Sequence, residues 1–124
     1  MKLPQVMGMV FCEEFDVSSF SLRRLFQGRY YRTFPASAGP FRIYAALYSG
    51  GVEGLVQCTC TRMEDEHEVF AYRIWRSLPP GTIVQILIPI RRIRFTTPGR
   101  YEFKFLFDGS EIANRYLEVI REAR

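Results

Sequence analysis

The chain has 124 residues, 48% of them apolar and 15% aromatic, and a formal net charge of +4. That composition excludes a disordered or fibrous chain, and the length suits one domain over residues 1–124 with a single core. No apolar run nears the roughly 18 residues that cross a membrane, the start lacks the apolar core of a secretory leader, and three cysteines make no disulfide framework, so the sequence predicts a soluble cytoplasmic protein without a membrane partner.

Period-two alternation dominates from the start. Residues 6–12 read as a strand, with Val6, Gly8, Val10 and Cys12 on one side and Met7, Met9 and Phe11 on the other. Glu13-Glu14-Phe15-Asp16 reads as its end. Residues 20–26 form a weaker strand. Leu22 and Leu25 are out of phase there, which predicts a bulge near Arg23-Arg24. Residues 28–40, with Pro35, Gly39 and Pro40, read as irregular.

Phe41, Ile43, Ala45 and Leu47 line a third strand, and Ser49-Gly50-Gly51 is a turn whose glycines permit positive φ. Residues 54–63 are a fourth strand, followed by the polar hairpin connection Glu64-Asp65-Glu66-His67. Phe70, Tyr72 and Ile74 line a fifth strand, and Leu78-Pro79-Pro80-Gly81 is the turn after it. Val84, Ile86, Ile88 and Ile90 line a sixth. Pro89 has no donor for a ladder, so this strand ends, bulges or lies at an edge there. The apolar phase then shifts, and residues 91–97 read as a connection that tucks Ile93 and Phe95 under the sheets.

Tyr101, Phe103, Phe105 and Phe107 recur at every second position, with Glu102 and Lys104 between them. This is a strand with a dry face and a largely wet one. Pro98-Gly99 and Asp108-Gly109 supply turns at its ends. Residues 111–120 complete a hairpin. Ile112, Tyr116, Leu117 and Ile120 also fall near helical spacing, but the Asp-Gly-Ser turn favours a strand with a short frayed tail. A Pro-Gly-x-Tyr start to the penultimate strand matches a tyrosine corner, in which the hydroxyl bonds back to the preceding connection. The predicted fold is therefore all-β, an immunoglobulin-like antiparallel β-sandwich of seven or eight strands.

Several segments carry a wider resemblance. Phe20-Ser21-Leu22-Arg23-Arg24-Leu25-Phe26, then Thr33-Phe34-Pro35, then Phe95-Thr96-Thr97-Pro98-Gly99-Arg100-Tyr101-Glu102-Phe103 and Asp108-Gly109 resemble a family of small uncharacterised bacterial proteins. The resemblance spans nearly the whole chain. It implies an immunoglobulin-like sandwich with no assigned activity, and it brings no catalytic residues. The chain departs from the pattern at Glu64-Asp65-Glu66-His67 and at Arg91-Arg92-Ile93-Arg94.

Reactive constellations are sparse. Cys12, Cys58, Cys60 and His67 are chemically a legitimate zinc set, but Cys58-x-Cys60 sits in a strand rather than in a knuckle, so core thiols are expected. Glu64, Asp65, Glu66 and Glu68 suit Ca2+ by type, but clustered charge at a hairpin tip is ordinary. His67 is the only histidine, and no nucleophile elbow or phosphate loop accompanies it. The expectation is a non-enzyme with no metal and no cofactor. A small enzyme or metal site near His67 is the most distant alternative.

Of the 17 basic residues, only Lys2 and Lys104 are lysine. Arg91, Arg92 and Arg94 form the densest run and are the candidate binding surface. Arg23, Arg24, Arg29 and Arg32 form a second group, with Tyr30, Tyr31, Phe34 and Tyr44 as stacking faces. Arginine among aromatics suits single-stranded nucleic acid, while solvated edge charge is the plainer account. The leading expectation is a protein-interaction or scaffold module with a protein partner. Nucleic acid ranks second, and a homodimer through strand edges is a further alternative.

Overall fold

The computed structural model describes residues 3–16, 18–19 and 21–123. Its strands are β1 (Gln5–Asp16), β2 (Ser21–Phe26), β3 (Gly28–Tyr31), β4 (Ala36–Ala38), β5 (Phe41–Tyr48), β6 (Val52–Arg62), β7 (His67–Leu78), β8 (Ile83–Ile90), β9 (Ile93–Phe95), β10 (Gly99–Phe107) and β11 (Ser110–Arg121). One sheet has the order β2-β1-β5-β8, the other β3-β11-β10-β6-β7, and β4 pairs with β9. No helix among the described residues is long and apolar enough to cross a membrane.

Alternation creates the core. Tyr101, Phe103, Phe105 and Phe107 are all fully buried, and register places Cys60, Cys58 and Val56 of β6 beside the three phenylalanines. From the four-stranded sheet come Met9, Phe11, Phe41, Ile43, Ala45, Leu47, Ile86, Ile88 and Ile90, and both sets belong to one cluster. Ring contacts join the two sheets, with Phe11 meeting Phe103 edge-on at 4.9 Å between centroids. Ile93 and Phe95 tuck into the same core from the β4–β9 pair.

The tyrosine corner is present. The Tyr101 hydroxyl donates to the Thr97 carbonyl at 2.7 Å. A second lock sits at the far end of the same strand. Asp108, at φ 48°, accepts the Leu55 amide on Oδ1 at 2.8 Å and donates its own amide to the Leu55 carbonyl at 2.9 Å. Gly54 makes room for it: a Cβ there would stand 2.5 Å from Asp108 Oδ1 and 2.7 Å from the Phe107 ring.

The immunoglobulin-like sandwich holds, with two corrections. Among the described residues there are eleven strands rather than seven or eight. The additional three are β3, β4 and β9, each three or four residues long. Segments that short cannot display a period, so they read as irregular chain or connection. The sandwich is also not wholly antiparallel, because β3 runs parallel to β11.

Smaller differences are physical too. β1 continues through the acidic residues to Asp16, because arginines lie opposite: Glu14 pairs with Arg23, and Glu13 binds Arg24 and Arg29. The expected irregularity in β2 is Arg24 at φ 57°, yet the register is the same on both sides of it. Phe20, which the sequence placed at the start of that strand, lies outside the described residues. Residues 111–120 are strand, not helix. β8 is an edge strand, one of the three outcomes that Pro89 allowed.

Candidate interaction surface

The outer faces of the two sheets differ. On the five-stranded sheet, the positions between the core aromatics are Glu102, Lys104 and Leu106, beside Thr61, Thr59 and Gln57 of β6. Ala71 and Arg73 continue these rows on β7, and Tyr116 and Asn114 continue them on β11. Apart from Leu106, Ala71 and Tyr116, these rows are polar or charged, and Lys104 lies 3.9 Å from carboxylates of both Glu102 and Glu111; the next row sets Leu55 beside Trp75, which is 62% exposed.

The four-stranded sheet is different. β5 turns Tyr44, Ala46 and Tyr48 outward, and register sets Leu87, Gln85 and Ile83 of β8 beside them. On the other flank Val10 pairs with Tyr44, and Leu25 of β2 lies beside Cys12. Leu25, Tyr48 and Ile83 are 57%, 44% and 58% exposed. Arg42 is the one charged residue of β5, and its guanidinium reaches the Glu13 carbonyl at 3.5 Å. Four strands about 4.8 Å apart, over about six residues at about 3.4 Å each, span roughly 400 Å² of sheet, of which these apolar side chains cover a part. The signal was available in the sequence: Phe41–Tyr48 is apolar in both phases except at Arg42, and so is Ile86-Leu87-Ile88.

The arginines divide into two groups. Arg23 meets Asp16 at 3.7 Å, Arg24 and Arg29 meet Glu13 at 3.4 and 3.0 Å, and Arg32 meets Glu122 at 3.8 Å. Arg29 also lies 3.8 Å over the Phe26 ring. The second group is therefore matched by acids. Arg91, Arg92 and Arg94 are exposed and carry no ion pair among the described residues. Arg91 and Arg92 precede β9 and Arg94 lies within it, and Gly39 backs onto this run so closely that a Cβ would stand 2.5 Å from the Arg91 carbonyl oxygen. Tyr30, Tyr31, Phe34 and Tyr44 do not gather around this run. Tyr31 and Phe34 pack with each other and toward Phe95, Tyr30 lies beside Ile120, and Tyr44 is on the other sheet.

The structure does not bring Cys12, Cys58, Cys60 and His67 together. Cys58 and Cys60 point into the core from β6, Cys12 is buried on β1, and His67 is exposed at the start of β7. Burial pushes the Cys58 thiol up to about 12 and raises Cys60 and Cys12 as well, so these groups are neutral thiols near pH 7. In the acidic turn Asp65 is committed. It pairs with Arg62 and accepts the His67 amide at 3.1 Å, and the Arg62 bond holds its carboxyl down to about 2. Arg62 in turn donates to Thr96 and Thr97, which ties this hairpin to the tyrosine corner. Among the described residues, no three His, Cys, Asp or Glu side chains converge as metal ligands would.

A groove that no sequence pattern announced opens between the sheets. β2 pairs with β1 only from Phe11 onward, and at Gln27 the chain crosses to the other sheet, where the Glu118 amide donates to the Gln27 carbonyl at 3.0 Å. Below that crossing β1 and β11 face each other. A hollow of about 790 Å³ lies among Met9, Phe11, Leu25, Phe26, Arg115 and Tyr116. A second of about 270 Å³ continues it past Val6 and Gly8 on one wall and Ile112 on the other. Residues 6–9 thus oppose 112–115, and 9–11 oppose 114–118, so the two strands ascend in the same direction.

No family model matches the sequence, and no curated protein matches it. Among solved structures the chain is similar to an immunoglobulin-like protein from Pseudomonas aeruginosa, with a TM-score of 0.49 and 12% identity over 95% of this chain and 97% of that one. The fold assignment rests on the chain's own two sheets, shared core and tyrosine corner.

Proposed function

We propose that this chain is a non-catalytic protein-interaction module of the bacterial cytoplasm, of the small-protein family its motifs resemble. One observation carries the reading: the outer face of the four-stranded sheet sets Tyr44, Ala46, Tyr48, Leu87, Ile83 and Leu25 side by side with little charge among them. Keeping such a surface in water is unfavourable, and a partner that covers it recovers the apolar burial. The chemistry elsewhere supports the same reading, since the cysteines are buried thiols and the lone histidine is exposed. The test is a quantitative pull-down with wild-type bait and a Tyr44→Glu/Leu87→Glu bait of equal melting temperature. A partner held by the wild type and released by the variant supports the reading. An identical set of captured proteins on both baits overturns it.

A second reading is favoured by Arg91, Arg92 and Arg94, three exposed arginines left without acids while Arg23, Arg24, Arg29 and Arg32 all have them. These would hold phosphates of a single-stranded nucleic acid. Affinity for an oligonucleotide would then fall steeply with salt and weaken when all three become alanine. An oligonucleotide affinity indifferent to salt and to the triple substitution removes this reading.

A further inference from the structure

An edge strand without charge borders the apolar outer face. β8 reads Ile83-Val84-Gln85-Ile86-Leu87-Ile88-Pro89-Ile90, and among the described residues it pairs with β5 alone. A free edge displays backbone donors and acceptors in a row and is a template for another strand. The other edges of the two large sheets are blunted. β2 carries Arg23 and Arg24, with Arg24 at φ 57°, and β3 carries Arg29. β7 carries Glu68, Arg73 and Arg76, and its register against β6 shifts at Cys60 and Thr61. β8 has neither a charge nor a register shift against β5.

Pro89 decides which backbone groups are open. The ladder with β5 runs unbroken through the Arg42–Pro89 pair, although proline has no amide hydrogen to give. The missing donor therefore lies on the side away from β5. Antiparallel bonding alternates along a strand, so Val84, Ile86, Ile88 and Ile90 bond to β5, and Ile83, Gln85, Leu87 and Pro89 turn their backbone groups to the free side. The amides and carbonyls of Ile83, Gln85 and Leu87 are thus open, and Ile83, Gln85 and Pro89 are exposed.

This set complements itself. Placing an antiparallel second copy with Gln85 opposite its own counterpart gives each Ile83 amide a Leu87 carbonyl, each Leu87 amide an Ile83 carbonyl, and each Gln85 amide the other Gln85 carbonyl. Every open amide then has an acceptor. Moving the centre to Ile86 would set the donorless Pro89 against the Ile83 carbonyl of the second copy. The side chains agree with the first register. Ile83 and Leu87 meet across the axis on the outer face, Val84 and Ile86 meet on the inner one, and the two uncharged Gln85 side chains face each other.

We infer that a second copy of the chain occupies this edge, paired β8 to β8 about a twofold axis at Gln85. The two four-stranded sheets become one continuous sheet, and the outer rows run on from Tyr44 and Leu87 of one copy to Ile83 and Tyr48 of the other. The shared ladder is about 17 Å long. An interface this small falls among the weaker specific ones, so the dimer depends on concentration. Self-association is measured on the purified chain, so its outcome is independent of whether the outer face captures another protein.

The test is sedimentation of the full chain across a range of concentrations. The wild type should move from 14.5 kDa toward twice that mass as it is concentrated. Gln85→Lys and Gln85→Glu each set like charges against each other at the axis, so both should weaken self-association at least about tenfold. Mixing the two variants should restore a dimer containing one of each. Gln85→Pro removes an amide that β5 does not use, so it should stay folded and become monomeric. Hydrogen exchange on the unaltered chain gives a readout that needs no variant. The amides of Ile83, Gln85 and Leu87 should slow as concentration rises, and those of β7 should not. A wild type that stays at 14.5 kDa up to about 1 mM overturns the inference. So does a dimer that both charged variants leave intact, or protection that falls on β2, β3 or β7 instead.

Discussion

The two sheets are alike on the inside and unlike on the outside. Inward they contribute interlocking aromatic and branched side chains to a common core. Outward, the central rows of the five-stranded sheet carry Glu102, Lys104, Thr59, Thr61 and Asn114, with Trp75 and Tyr116 exposed on its β7 and β11 strands, whereas the four-stranded sheet shows Tyr44, Ala46, Leu87 and Ile83. The inner likeness accounts for folding, since the two layers must cover each other. The outer contrast is not needed for folding. The docking surface proposed above lies on the four-stranded sheet.

The strongest test of that division acts on the shared interior. Phe103→Ala and Phe41→Ala, one from each sheet, should both destabilise by about 3–5 kcal/mol in denaturant titrations. A loss confined to one of them would mean that the sheets do not share a core. Next comes Gly54→Ala, which would drive a methyl into Asp108 and Phe107. A loss of about 1–3 kcal/mol is expected, with the β10–β11 turn showing the largest amide shifts. Tyr101→Phe should remove roughly 1 kcal/mol, because the Thr97 carbonyl loses the hydroxyl that donates to it. Wild-type stability in that variant would reduce the corner to a packing feature.

Two matched surface substitutions sharpen the contrast itself. Leu87→Glu and Thr59→Glu should each change stability by no more than about 0.5 kcal/mol. Only the first should abolish partner capture, and equal loss from both would dissolve the distinction between the faces. The smallest effect concerns the hairpin end of the five-stranded sheet. Because Arg62 depresses the Asp65 carboxyl from 3.8 to about 2, the pair's stabilisation is present above the higher value. It fades as pH falls through the lower one. Asp65→Asn should thus lose its difference from wild type between about pH 4 and pH 2, as read by melting temperature.

Legibility followed length and locality. The β10–β11 hairpin was readable down to its turn residues, because four aromatics at alternate positions leave one phase open. The tyrosine corner was readable too, as a local motif whose bond spans four residues. β3, β4 and β9 were not, since each is too short to show a period and is strand only because a distant partner exists. Arg91, Arg92 and Arg94 are exposed. Which arginines were neutralised was invisible, because Glu13 meets Arg29 across 16 positions of sequence. The apolar outer face had a trace in the two-phase hydrophobicity of β5. The groove had none. It exists because the chain changes sheets at Gln27, and its key contact joins Met9 to Arg115 across 106 positions.

The shared direction of β1 and β11 has a mechanical consequence. One strand sits near the beginning of the chain and the other near its end, so handles attached at Gln5 and Arg121 would draw on opposite poles of the molecule. Tension would then act along the strands, and the ladders of β1 against β5 and of β11 against β10 would be loaded lengthwise. In that geometry the bonds of a ladder stretch together and yield together, whereas strands peeled apart from one end lose theirs singly. A pull between those two points would thus meet both ladders in shear, while sideways traction on either sheet would unzip it.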